Sequence, residues 1–225
     1  AEWTDAGVSL EMKTDFPEGE SAFITLAVDS PREFTLALRR PSWAGEDFTV
    51  KINGVTVSED VVRPYRDVPE SGRPVEGRDG VDRSGTYVEL TRIWKTGDTV
   101  EIFLPKTLRL EPVPDNPKVT AIMWGPLVLA ADFTYPVIPV FVAAGRPVSE
   151  WIEAVPDSPG RFRVKDVGRD SLGSGVGVDV DLLPFYRLHR RTYAVYFDLF
   201  TEAEWEEKKA GHSDDPSRSA VKSGR

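Results

Sequence analysis

The sequence contains no cysteine, which excludes disulfides, thiolate zinc sites, iron–sulfur clusters and cysteine nucleophiles. It holds two histidines, His189 and His212, so a three-histidine zinc site is excluded by count. Glutamine is missing and asparagine occurs twice, at Asn53 and Asn116, so the amide side chains that commonly grip sugar hydroxyls are scarce. No run approaches the roughly eighteen apolar residues of a membrane-spanning helix. Positive charge is also in deficit: 28 Lys and Arg face 37 Asp and Glu, a net charge of -9. That balance argues against a nucleic-acid partner, because phosphate binding needs a cationic surface. The chain opens on Ala1-Glu2-Trp3, without an initiator Met, a basic region or an apolar leader, and reads as a processed chain or a piece of a longer one.

What the sequence does contain is punctuation. Eighteen glycines and eighteen prolines in 225 residues suit many short strands better than long helices. Ile24, Leu26 and Val28 alternate on one face of a strand, and Phe34, Leu36 and Leu38 on one face of the next. Asp29-Ser30-Pro31 lies between them, and the pair reads as a hairpin. Asn53-Gly54 between Phe48–Ile52 and Val55–Val57 marks a second hairpin, because both turn residues tolerate positive φ. Thr86–Leu90 and Thr99–Leu104, around Lys95-Thr96-Gly97-Asp98, read as a third. Val119–Met123 and Leu127–Ala130 are apolar enough to be central strands, meeting at a kink or bulge at Gly125-Pro126. Arg161–Val164 and Tyr193–Phe197 are further strand candidates. Thr201-Glu202-Ala203-Glu204 has the form of a capping box, with Phe200 and Trp205 placed as a hydrophobic staple. The helix it starts is expected to run to about Ala210 and end at Gly211.

These patterns predict an all-β protein: two β-sandwich modules of antiparallel strands with a short C-terminal helix. The first module is expected over residues 1–135. It carries an insertion at 58–85 with three prolines, four glycines and twelve charges. A second, smaller module is expected over 136–210, where prolines change the texture, followed by a polar tail over 211–225.

Chemical signatures are few. Gly173-Ser174-Gly175-Val176-Gly177 has the wrong spacing for a dinucleotide loop, no helical pattern follows it, and a flexible turn is the better reading. No Gly-x-Ser-x-Gly occurs, and His189 reads as a hydrogen-bonded structural residue. Glu89 and Glu101 read as cross-strand neighbours on a solvated outer face, not as a glycosidase pair. Asp179-Val180-Asp181 lacks a calcium-binding loop around it. The six tryptophans read first as packing residues. The aromatic candidates for stacking on a sugar ring are Trp43, Tyr65 and Trp94. No catalytic residue, metal ligand or cofactor site is assigned.

An ordered set of motifs carries a family resemblance. Thr14-Asp-Phe-Pro17, Leu38-Arg-Arg-Pro-Ser-Trp-Ala44, Val50-Lys-Ile-Asn-Gly54, Gly85-Thr-Tyr87, Arg92-Ile-Trp-Lys-Thr-Gly-Asp98, Ile102-Phe-Leu-Pro105 and Trp124-Gly-Pro-Leu-Val-Leu-Ala130 follow one another. Tyr186–Phe197 and Trp205 come after them. Together, over residues 8 to 208, they resemble the C-terminal β-sandwich region of β-L-arabinofuranosidase-type glycoside hydrolases, family 127 and close relatives. The resemblance implies an upstream (α/α)6 barrel in the same polypeptide, with cysteine ligands to zinc, a nearby glutamate and a cysteine nucleophile. None of those residues can be carried over to a chain without cysteine. It further implies that the modules support the barrel and that the last one can mediate a homodimer. Carbohydrate binding by a stand-alone module is the alternative. Two features depart from the family pattern: the long stretch 58–85, and Lys106 where an apolar residue is usual.

Overall fold

The computed structural model describes residues 1–57, 62–63, 86–132, 139–170 and 177–213. Apart from Val62 and Arg63, the insertion read at 58–85 lies outside them, as do Tyr65, most of the tail and the boundary residues near 135. The chain forms two compact units, 1–107 and 108–225.

The first unit contains β1 (Glu2–Trp3), β2 (Val8–Thr14), β3 (Ser21–Val28), β4 (Arg32–Arg40), β5 (Thr49–Ile52), β6 (Val55–Thr56), β7 (Val62–Arg63), β8 (Thr86–Trp94) and β9 (Thr99–Phe103). Six strands form one antiparallel sheet in the order β1-β2-β3-β9-β5-β6, and three form another in the order β4-β8-β7. Ile24, Leu26, Val50, Val100 and Ile102 of the larger sheet share one core with Leu38, Val88, Leu90 and Trp94 of the smaller. In β3, Ala22, Ile24, Leu26 and Val28 are buried while the residues between face outward, so the period-two pattern maps onto the pleat.

Two of the expected hairpins are corners between sheets. β3 pairs with β2 and β9, whereas β4 pairs with β8. Asp29-Ser30-Pro31 therefore carries the chain across the core. Lys95–Asp98 does the same between β8 and β9. The corners are tied together: the Val28 N–H donates to Thr96 Oγ1 at 2.8 Å, and that hydroxyl donates to the Val28 carbonyl at 2.7 Å. Both alternating strands need the same core, and opposite sheets satisfy that need as well as a hairpin does. The Asn53-Gly54 turn is as read, with φ of 50° and 81° joining β5 to β6.

The second unit contains β10 (Leu108–Val113), β11 (Asn116–Trp124), β12 (Leu127–Asp132), β13 (Pro139–Val142), β14 (Ile152–Ala154), β15 (Phe162–Val164), β16 (Gly168–Asp170), β17 (Val180–Pro184), β18 (Tyr193–Ala194), β19 (Tyr196–Phe200) and the helix α1 (Glu202–Ser213). Its strands run β14-β15-β17-β12-β11-β19-β13-β16, with β10 on β11 and β18 on β12. All pairs are antiparallel except β13 with β19. Ile122, Leu129 and Leu182 from the middle of this order share a core with Phe141 and Phe197 from its end. The sheet thus folds over on itself. β11 and β12 are central, as expected, but Gly125-Pro126 is the tight turn of a hairpin, with Trp124 opposite Leu127, and not a bulge.

The division after Thr107 differs from the expected boundary near 135. β11 and β12 fall within the first expected module, yet they pair with β17, β18 and β19. Sheet pairing, not composition, decides the unit. The capping box forms: Thr201 N–H donates to Glu204 Oε2 at 2.9 Å and Glu204 N–H to Thr201 Oγ1 at 3.3 Å. Phe200 and Trp205 make the staple, with ring centroids 5.9 Å apart. Trp205 is buried against Val140 and Val142. The helix runs through Gly211 to Ser213, past the expected stop.

Candidate functional site

Trp43 follows β4 and is half-buried. Its ring stacks on Phe16 with centroids 5.9 Å apart and planes at 24°. Its carbonyl accepts from Thr107 Oγ1 at 3.2 Å. Lys106 completes this corner. Its Nζ donates to the carbonyls of Pro17, Glu18 and Gly19 at 2.7, 3.1 and 3.2 Å and lies 5.7 Å from the centre of the Phe16 ring. Its own N–H donates to Glu20 Oε1 at 2.7 Å. A buried ammonium needs such compensation. An apolar residue at position 106 would leave three carbonyls unserved, so the lysine is a clip on the 15–20 turn. One face of Trp43 is taken by Phe16.

Trp94, the second aromatic candidate, is fully buried. Its Nε1–H donates to the Phe34 carbonyl at 3.1 Å, and Arg92 lies over its ring at 5.1 Å. It presents no face to a ligand, and its role as a sugar-stacking residue is corrected to one of core packing. Tyr65 lies outside the described residues. The three candidates are therefore not seen as one site.

A cleft of about 370 Å³ opens between β1, β2 and the outer edge of β4. Trp3, Val8, Leu10, Phe34 and Leu36 line it, and the Arg32 guanidinium donates to the Ala6 carbonyl beside it. No carboxylate is among its lining residues. The carboxylates weighed as a pair do not assemble either. Glu89 lies on β8 and Glu101 on β9, in different sheets, and Glu101 meets Lys51 at 3.3 Å. They are not cross-strand neighbours. Asp98 is buried at the β8–β9 corner. The Asn53 amide donates to it at 2.9 Å and holds its pKa below the ordinary value against the cost of burial, aided by the Lys95 N–H. Burial raises the pKa of Asp181, but hydrogen bonds from Arg161 and Arg163 outweigh it and hold the group low. Its oxygens are committed to guanidinium groups. His189 is exposed.

Among the described residues no group of three or more His, Asp or Glu is placed to hold a metal ion. The thiolate set implied by the resemblance is not in this chain, so the residues present do not fit that zinc centre and no step runs through it.

Sequence reasoning missed one surface. Phe185, Tyr186, Tyr193 and Tyr196 are 42–57% exposed. The signal was available: residues 182–197 hold four exposed aromatics, three arginines, one histidine and no acid.

The fold and these sites define a two-unit, all-β chain without an assembled catalytic constellation among its described residues. Residues 1–106 match the family model described as β-L-arabinofuranosidase, GH127 middle domain. Residues 1–106 are thus similar to a GH127 arabinofuranosidase-related middle domain. The fold of the chain is similar to that of a GH127 β-L-arabinofuranosidase from Geobacillus stearothermophilus T6, with 20% identity and a TM-score of 0.55 over 85% of this chain and 30% of that one. A structure described as a glycoside hydrolase gives 20% identity and 0.53, over 89% and 34%. A further GH127 β-arabinofuranosidase gives 18% and 0.52, over 88% and 32%. The chain spans about a third of the length of these solved structures. No curated protein matches it by sequence.

Proposed function

We propose that this chain is the noncatalytic β-sandwich region of a glycoside hydrolase related to β-L-arabinofuranosidases. In this reading it supports an (α/α)6 catalytic barrel of the same polypeptide, and its second unit contributes to a homodimer. The observation that carries the reading is the match of residues 1–106 to the GH127 middle domain. The absence of cysteine supports the noncatalytic role, because the nucleophile and zinc ligands of the resembled family are cysteines. The commitment of Asp98, Asp181 and Glu101 to structural partners supports it too. The test is reconstitution: the chain and the remainder of its polypeptide are produced as separate pieces. The reading expects them to co-elute and the remainder to melt at higher temperature with the chain present. Independent elution with no change in melting contradicts a supporting role.

The stand-alone carbohydrate module loses Trp94 as a stacking residue and is not favoured on the residues first considered for it.

A further inference from the structure

We propose that the turn between Phe185 and Tyr193 in the second unit binds an acidic oligosaccharide, one whose rings carry carboxylates. The inference goes beyond the supporting role and does not depend on it.

The geometry begins with a closed loop. Phe185 and Tyr193 meet edge to face, with ring centroids 4.9 Å apart and planes at 69°. The seven residues between them, Tyr186 to Thr192, project as a turn. Leu188 is its buried anchor, and the Leu188 N–H donates to the Phe185 carbonyl at 3.0 Å. Arg187 lies beside Tyr186 at 5.8 Å and donates to the Pro159 carbonyl at 2.8 Å. Arg191 donates to Asp132. The turn is therefore held before any ligand arrives, which lowers the ordering cost of binding. The chain bends at Val195, between β18 and β19, and this offsets the alternation. Ala194 and Phe197 point inward, leaving both Tyr193 and Tyr196 exposed.

The chemistry of the surface selects the ligand. The exposed large hydrophobic side chains described in this unit are all aromatic, and three of the four are tyrosines with a polar tip. Tyrosine faces suit the C–H faces of sugar rings. The chain has almost no amide side chains to hold hydroxyls, and here guanidinium groups replace them. Arg187 and Arg190, with His189, stand in a sixteen-residue stretch free of acids, next to Arg191, which is paired with Asp132, in a protein of net charge -9. Planar guanidinium donors match a carboxylate in two-point geometry. Charge complementarity therefore favours an acidic sugar over a neutral one.

The experiment is calorimetric titration of the full chain with hexagalacturonate, with arabinohexaose as the neutral probe of equal length. Two variants are chosen to fold: Tyr196→Ala, at an exposed side chain, and Arg190→Gly, at a position whose φ of 57° glycine adopts freely. The proposal expects the acidic probe to bind at millimolar concentration or below and to weaken as salt rises. It expects each variant to weaken binding by about tenfold, equivalent to roughly 1.4 kcal/mol, with the melting temperature unchanged. No binding at millimolar probe, equal binding of the neutral probe, or variants that bind as tightly as the parent overturns it. Self-association of the chain that Tyr196→Ala abolishes, without sugar binding, also overturns it and assigns the surface to a protein partner.

Discussion

Trp94 and Trp151 are both fully buried, yet they differ in one hydrogen bond. Trp94 Nε1–H reaches the Phe34 carbonyl, whereas Trp151 Nε1–H has no acceptor among the described residues. A buried donor with a partner contributes about 1 kcal/mol, and one without costs a comparable amount. Trp94→Phe is therefore expected to destabilise the chain by about 1–2 kcal/mol more than Trp151→Phe in urea unfolding. Equal losses would contradict the assignment. Lys106 offers a second test at this scale. Lys106→Met installs the apolar residue usual in the resembled family but strips three carbonyls of their donor, and a loss of about 1–3 kcal/mol is expected. A neutral or stabilising change would show that the ammonium is not the clip. Neither feature was legible beforehand. Trp43 and Trp94 both read from sequence as strand-end residues, and the pairing of β8 with β4 puts one indole inside. The role of Lys106 depends on carbonyls almost ninety residues earlier in the chain.

At the scale of elements, what was legible is what is local. Asn53-Gly54 gave a turn because the required φ values are intrinsic to those residues. The capping box formed because its partners are three residues apart. Strand partners were not legible, since a corner between sheets and a hairpin use the same turn residues. The Thr96 bonds to Val28 are what mark the corner, and Thr96→Val is expected to cost about 1–2 kcal/mol and speed amide exchange at Val28. The start of α1 carries a pH prediction. The hydrogen bond from Lys118, at 2.5 Å, together with those from Thr201, lowers the Glu204 pKa to about 2. A carboxylate with a lowered folded pKa contributes stability above its ordinary value of 4.5 that is lost as pH falls through about 2, because the unfolded chain takes up the proton first. Protection of the amides at the start of α1, taken relative to the intrinsic exchange rate at each pH, should be high at pH 5 and fall progressively toward pH 2. In Glu204→Gln that protection should be lower at pH 5 and nearly independent of pH over that interval. An unchanged pH dependence in the variant would contradict the assignment.

At the scale of the molecule, each unit has its own core: Ile24, Leu26, Trp94 and their neighbours in the first, Ile122, Leu129 and Phe141 in the second. A chain ending after Thr107 is expected to fold alone, with one cooperative urea transition. A broad, uncooperative loss of signal would contradict the division. The all-β class was legible from alternation and turn residues, while the division was hidden because β11 and β12 choose partners from the far end of the chain and β10 pairs with β11. The absence of cysteine was the most informative feature of the sequence: beside the match of residues 1–106 to a GH127 middle domain, it supports the proposal that the resembled family's chemistry lies outside this chain. The measurement that tests this claim most directly is hydrolysis of an aryl β-L-arabinofuranoside by the purified chain, alongside the longer polypeptide proposed to contain it. The account predicts turnover by the longer polypeptide and none by the chain alone; turnover by the purified chain would contradict it.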